Sequence, residues 1–146
     1  MNSPPDHVHV LLVEDDPGDV LMTKEAFEHH KIRNPLHVVA DGAEAIRFLR
    51  REGEYADAPR PGLVLLDLNL PRKNGLEVLD ELRADASLAP IPVIMLTSSA
   101  AHSDVEAAYA RGANAFVVKP LELDAFMDLI GAIRGFWLEV AQLPSA

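Results

Sequence analysis

The sequence predicts a three-layer α/β sandwich built on one doubly wound, five-stranded parallel sheet. Three observations carry that prediction. Five short apolar runs recur along the chain, at residues 8–13, 36–39, 63–66, 93–96 and 115–118. Most are near-continuous Val, Leu and Ile, the pattern of parallel strands covered on both faces. Segments with helical spacing separate them, and strand–helix alternation of this kind folds through right-handed crossovers into stacked layers.

Each element has its own signal. After the first strand, Pro17 stands at a helix start, where its missing N–H costs little, and Val20, Lys24 and Phe27 follow at helical spacing. Gly42 opens a second helix marked by Ala43, Ile46 and Leu49. The stretch 52–62, with Pro59 and Pro61, reads as a surface loop. Gly75 opens a third helix with Leu76, Leu79 and Leu82. Ser103 is expected to cap a fourth, carrying Val105, Ala108 and Tyr109, which Gly112 closes. Residues 121–143 read as one long last helix. Its stripe of Leu123, Phe126, Ile130, Ile133 and Trp137 should face the sheet. Leu129, Phe136, Val140 and Leu143 form a second apolar stripe, and a helix apolar on two faces needs a second partner. No repeat, low-complexity tract or linker interrupts the chain, so one globular unit is expected.

Composition narrows the function classes. In 146 residues, 13 Lys and Arg oppose 23 Asp and Glu, a formal net charge of −10. Such a chain is repelled by nucleic acid and by anionic lipid. The absence of Cys excludes a disulfide framework and a thiolate metal site and fits a cytoplasmic location. No apolar run approaches the roughly 20 residues that span a bilayer, and the N-terminus lacks the features of a secretion signal. No membrane or nucleic-acid partner is expected.

The acids gather at strand ends. The first strand ends in VEDDPGD, giving Glu14, Asp15, Asp16 and Asp19, and the third ends in LLDLNLP, giving Asp67. Ligands of open parallel sheets bind beyond the carboxyl ends of the strands, where strand order reverses. With the first strand between the second and third, Glu14, Asp15 and Asp67 converge there. Packed carboxylates repel one another unless a cation joins them. Oxygen ligands with room for water suit Mg²⁺. Asp19 reads as ordinary negative charge at a helix N-terminus. The fourth strand ends in VIMLTSS, placing Thr97 and Ser98 at the same edge, and the fifth ends in FVVKP, placing Lys119 there. Acids, a hydroxyl and an ammonium around one point suit phosphoryl transfer, which needs chiefly alignment and charge neutralisation. A carboxylate is an adequate nucleophile for it.

Taken in order, VEDD, LLDLNLPRKNG, VIMLTSS and FVVKP resemble the receiver domain of bacterial two-component response regulators, over roughly residues 8–134. The resemblance implies a flavodoxin-like sandwich with strand order 2-1-3-4-5. It implies Asp67 as the phospho-accepting aspartate. Asp15 would then be the direct Mg²⁺ ligand, with Glu14 acting through water and Asn69 offering its backbone carbonyl. Thr97 matches the switch hydroxyl, Lys119 the phosphate-contacting lysine and Phe116 the aromatic switch position. Phe116 departs from the commoner Tyr and has no hydroxyl to donate, so its motion would rest on packing alone. Asp16 stays open as a further metal ligand. The DDPGD start, the EGEYADAPRPG loop and the GFWLEVAQLP ending resemble the single-domain regulators paired with bacterial phytochrome histidine kinases.

These resemblances imply a signalling switch that takes its phosphoryl group from a sensor histidine kinase, a bacteriophytochrome in the narrower reading, and that catalyses only its own phosphorylation and dephosphorylation. A homodimer is expected through the fourth helix, fifth strand and fifth helix, with Leu129, Phe136, Trp137, Val140 and Leu143 as contacts and residues 135–146 as the extension that reaches across. Two alternatives stand beside this reading. One is a Mg²⁺-dependent aspartyl phosphatase, although Asn69 stands where such enzymes place a second acid. The other is a constitutive interaction module with an unused acidic pocket. His7 with His9, and His29 with His30, lack the spacing of a metal site with a carboxylate partner. No Gly-rich nucleotide loop occurs.

Overall fold

The computed structural model describes residues 8–99 and 101–144, with the backbone alone of Val140. His7 lies outside the described residues. Five parallel strands form one sheet in the order β2-β1-β3-β4-β5. They are β1 (Val10–Val13), β2 (Leu36–Val39), β3 (Leu63–Leu66), β4 (Val93–Thr97) and β5 (Ala115–Val118). The helices are α1 (Pro17–His29), α2 (Gly42–Arg50), α3 (Gly75–Ala84), α4 (His102–Ala110) and α5 (Leu123–Ile133). A 3₁₀ turn, Gly53–Tyr55, interrupts the loop before β3. The expected fold class, the strand order and the glycines opening α2 and α3 are all found.

Strand alternation sorts the core into two layers. Leu11, Val13, Val64, Leu66, Val93 and Met95 pack beneath Ile46 and Phe48 of α2, Val78 and Leu82 of α3 and Ala108 of α4. Val10, Leu12, Leu63, Leu65, Ile94 and Leu96 meet Ala26 and Phe27 of α1 and Phe126 and Ile130 of α5. Central strands β1, β3 and β4 are buried throughout, which explains their unbroken apolar runs, whereas β2 and β5 are edges and only partly covered.

Helix starts differ from the sequence reading in one place. Asp16, Asp41 and Asn74 cap α1, α2 and α3 through side-chain oxygens, and Asn74 forms a capping box with Glu77. Ser103 is not the cap: α4 begins two residues earlier than that reading, at His102, behind Ala101, whose side chain supplies no cap bond.

The last helix is shorter than expected and changes its winding. Arg134–Val140 is a π-helix, closed by a bond from the Ala141 amide to the Phe136 carbonyl at 2.7 Å, and Ala141 itself is extended. Leu143 therefore stands beyond the helix. A π turn bonds i to i+5 and shifts the inward face by a residue. Five residues after buried Ile133, Leu138 occupies the core at 5% exposure, where helical spacing placed Trp137. Trp137 and Leu129 pack partly against the same layer of their own domain, while Phe136 is exposed, and so is Leu123, which helical spacing placed on the sheet-facing stripe. Gly131 makes room for the residue that closes α1: a Cβ there would lie 2.8 Å from the His30 ring. That ring bonds the Met127 carbonyl through Nε2 at 2.6 Å, and Arg134 donates to the His30 carbonyl at 2.9 Å.

One side chain ties the opposite end of the sheet. Arg83 donates to the carbonyls of Ala89 and Ile91 at 2.7 Å each, to Gly112 at 3.0 Å and to the Asn114 side chain at 2.8 Å. Arg83→Leu is expected to strand these acceptors and lower the unfolding free energy by about 1–3 kcal/mol. Urea denaturation reads this as an earlier midpoint, and an unmoved midpoint would contradict it.

Candidate functional site

Sheet register builds the site. Val13 pairs with Leu66, so the residues that follow, Glu14 and Asp67, leave the sheet side by side. The ladder runs past the strands themselves: the Asp67 amide donates to the Val13 carbonyl at 3.1 Å, and the Glu14 amide to Val39 at 3.0 Å. Thr97 pairs with Val118, and the Lys119 amide donates to the Thr97 carbonyl at 2.8 Å. Four strand ends thus deliver Glu14, Asp67, Thr97 and Lys119 to one edge, as the sequence implies.

These polar groups are covered. Glu14, Asp67, Thr97 and Lys119 are 4%, 7%, 0% and 9% exposed. Glu14, Asp15 and Asp67 each bring a carboxylate oxygen within 4.8 Å of the other two. Asp15 is exposed and forms the solvent side of the trio. Asp67 Oδ1 is buried and has no hydrogen-bond partner among the described residues. A buried bare carboxylate oxygen is costly unless something positive meets it. Hard, clustered oxygen donors with one such orphan fit a divalent cation. Asn69 is exposed in the bend two residues after Asp67.

Lys119 supplies the positive charge inside the protein. Its Nζ donates to Glu14 Oε1 at 2.5 Å and to Asp19 Oδ2 at 2.8 Å, and lies 3.6 Å from Asp67 Oδ2. Asp19 is therefore the residue that sequence reasoning missed. It is more than a charge at the α1 terminus, and the signal that could have found it was its place one helical turn after Asp15. Asp16 turns the other way. Its Oδ1 accepts from the Gly18 and Asp19 amides at 2.8 and 3.4 Å, so it caps α1 and is not one of the clustered trio.

Burial raises the Glu14 carboxyl to about 7; bonds from Lys119 and the Asp16 amide oppose the shift, and the Asp67 charge adds to it. Burial alone would lower Lys119, but its bonds to Asp19 and Glu14 and the neighbouring carboxylate charges outweigh that and lift it above its ordinary range.

Thr97 and Phe116 are held at rest by neighbours. Thr97 Oγ1 accepts from the Ser99 amide at 3.3 Å, and the Ser99 hydroxyl bonds Asp104 in the first turn of α4. The Phe116 ring packs partly buried against the α2–α3–α4 layer, and its amide donates to the Tyr109 hydroxyl at 3.0 Å. Gly75 makes the tight return from Asp67 possible, since a Cβ there would lie 2.3 Å from the Asp67 carbonyl oxygen. Away from this edge, His9 Nδ1 meets His37 Nε2 at 2.9 Å between β2 and the residue before β1.

Residues 10–131 match the response regulator receiver domain family. The chain belongs to that family. Response regulator Rcp1 of Synechocystis sp. (strain ATCC 27184 / PCC 6803 / Kazusa) is 41% identical over 137 residues, 94% of this chain and 93% of Rcp1. Among solved structures, the phosphorylated cyanobacterial phytochrome response regulator RcpA has a TM-score of 0.91 at 41% identity, covering 95% of this chain and 99% of that one. The Mn(2+)-bound form of response regulator Rcp1 has a TM-score of 0.89 at 40% identity, covering 94% and 99%. The receiver reading of the sequence is borne out, and the chain is a switch of two-component signalling.

The raised Glu14 carboxyl has a pH consequence for this receiver. Between its unfolded value near 4.5 and its folded value of about 7, the folded state binds more protons. In chelator, stability should therefore fall as pH rises across that window, and Glu14→Gln should flatten the slope. Thermal melts over the window check this; parallel slopes for the two proteins would refute it.

Proposed function

We propose that this receiver accepts a phosphoryl group on Asp67 from the phosphohistidine of a sensor histidine kinase. The observation that carries the reading is the buried Asp67 carboxylate, whose Oδ1 has no hydrogen-bond partner among the described residues and whose Oδ2 lies 3.6 Å from the Lys119 ammonium, with two further carboxylates beside it. An Asp67 carboxylate oxygen attacks phosphorus. The new O–P bond forms as the P–N bond breaks, and its electron pair returns to the imidazole nitrogen. Lys119, whose charge is held firmly by its acidic partners, neutralises the incoming oxygens. Glu14, Asp15 and Asp67, with the Asn69 carbonyl, would hold Mg²⁺, which when bound screens acceptor from donor.

Phosphorylation adds charge at the end of β3. Thr97 then gives up the Ser99 amide and turns its hydroxyl to the phosphoryl oxygens. Ser99 and Asp104 carry that motion to α4, and Phe116 repacks against the same layer without a hydroxyl of its own. The likeness to a phytochrome response regulator supports a phytochrome-type kinase as donor. Incubation with Mg²⁺ and acetyl phosphate should add one phosphoryl group by intact mass, and Asp67→Asn should abolish it. An equal adduct in that variant would reject Asp67.

The output surface is the face of α4, β5 and α5, where Tyr109, Val118, Leu121 and Leu123 are exposed at 49%, 44%, 96% and 47%. Exposed apolar groups on these neighbouring elements suit a second copy of the chain, with exposed Phe136 as a further contact. Leu121→Asp leaves the core untouched and should convert a sedimenting dimer to monomer. A wild-type monomer at micromolar concentration would end the dimer proposal.

A further inference from the structure

Lys119 has three carboxylate neighbours, and two of them have other work. Asp67 is the acceptor, and Glu14 belongs to the trio suited to a cation. Asp19 stands outside that trio. We propose that Asp19 is a positioning residue for phosphoryl acceptance, holding the Lys119 ammonium beside Asp67 while Glu14 and Asp67 are engaged elsewhere. The proposal rests on the reading of Asp67 as acceptor and deepens it.

The geometry is built from α1. Asp16 caps the helix and accepts from the Asp19 amide, and the Thr23 hydroxyl donates to the Asp19 carbonyl at 2.8 Å, so the first turn is fixed from both sides. That turn aims the Asp19 carboxylate at Nζ, 2.8 Å away, against 3.6 Å from Nζ to Asp67. Lys119 arrives from the far edge of the sheet on a long, flexible side chain, and such chains lose much rotamer freedom when held. A cation drawn to Glu14 competes with Lys119 for that carboxylate. Without Asp19 the ammonium would then have only the acceptor itself to hold it, and its position when the donor arrives would be loose. Misplacement of a group that neutralises transferring charge is expensive in rate.

Charge and hydrogen bonding can be separated here. A negative Asp19 repels an anionic donor, so a pure charge effect makes both Asp19→Ala and Asp19→Asn faster than wild type. A positioning role makes them differ, because Asn retains an oxygen that accepts from Nζ and Ala does not. At saturating Mg²⁺ with acetyl phosphate, Asp19→Ala should accept phosphoryl about tenfold more slowly, and Asp19→Asn should stay within about twofold of wild type. The ¹⁵N signal of the Lys119 ammonium should be protected from exchange in wild type and in Asp19→Asn and lost in Asp19→Ala. That signature is not moved by a merely structural role. Thermal melts confirm folding, and Ala is a favourable residue in a helix turn. Equal rates and equal ammonium protection in the two variants overturn the inference while leaving Asp67 as acceptor. Failure of the wild-type chain to take up phosphate overturns both.

Discussion

One ammonium makes this site foldable. Glu14 and Asp67 are buried at adjacent strand ends, and Asp15 and Asp19 stand close by. Four acids at one edge would repel one another and resist burial. Lys119 meets three of them, Glu14, Asp19 and Asp67, from the opposite side of the sheet. The balance is incomplete by design of the chain: one lysine cannot neutralise four carboxylates, and Asp67 Oδ1 is left bare. The same deficit that costs stability in the metal-free protein suits the site to a divalent cation, which would offset the repulsion among these acids. Stability and function draw here on one electrostatic term.

The sheet makes that balance possible. Parallel strands all end at the same edge, so residues more than 100 positions apart, such as Glu14 and Lys119, meet without any loop having to bring them together. The helices then divide the work. On one face α1 supplies Asp19 and, through His30 and the notch at Gly131, locks to α5. On the other face α4 holds Ser99 through Asp104 and β5 through Tyr109. The first face steadies the ammonium; the second covers Thr97 and Phe116. Two short hydrogen-bonded links, Thr97–Ser99–Asp104 and the Phe116 amide to the Tyr109 hydroxyl, thus tie the end of β4 and strand β5 to α4.

The unbroken apolar runs, the turn glycines and the strand-end motifs established the sandwich, its strands and the set Glu14, Asp15, Asp67, Thr97 and Lys119 before any coordinates. They could do so because buried parallel strands and phosphoryl chemistry each tolerate few residue types at fixed places. Tertiary structure decided what local pattern left open. Asp19 resembles any acid in a first helical turn until Lys119 is seen 2.8 Å away, 100 residues on in sequence. Asp16, which sequence leaves open as a further ligand, is a cap, because only the backbone direction after β1 determines where its oxygen points. Trp137 fitted a 3.6-residue stripe, but a π turn advances the face and sends Leu138 into the core instead. Sequence by itself determines which side chains are available to a site; distance between them is a property of packing, and it is packing that assigns each its partner.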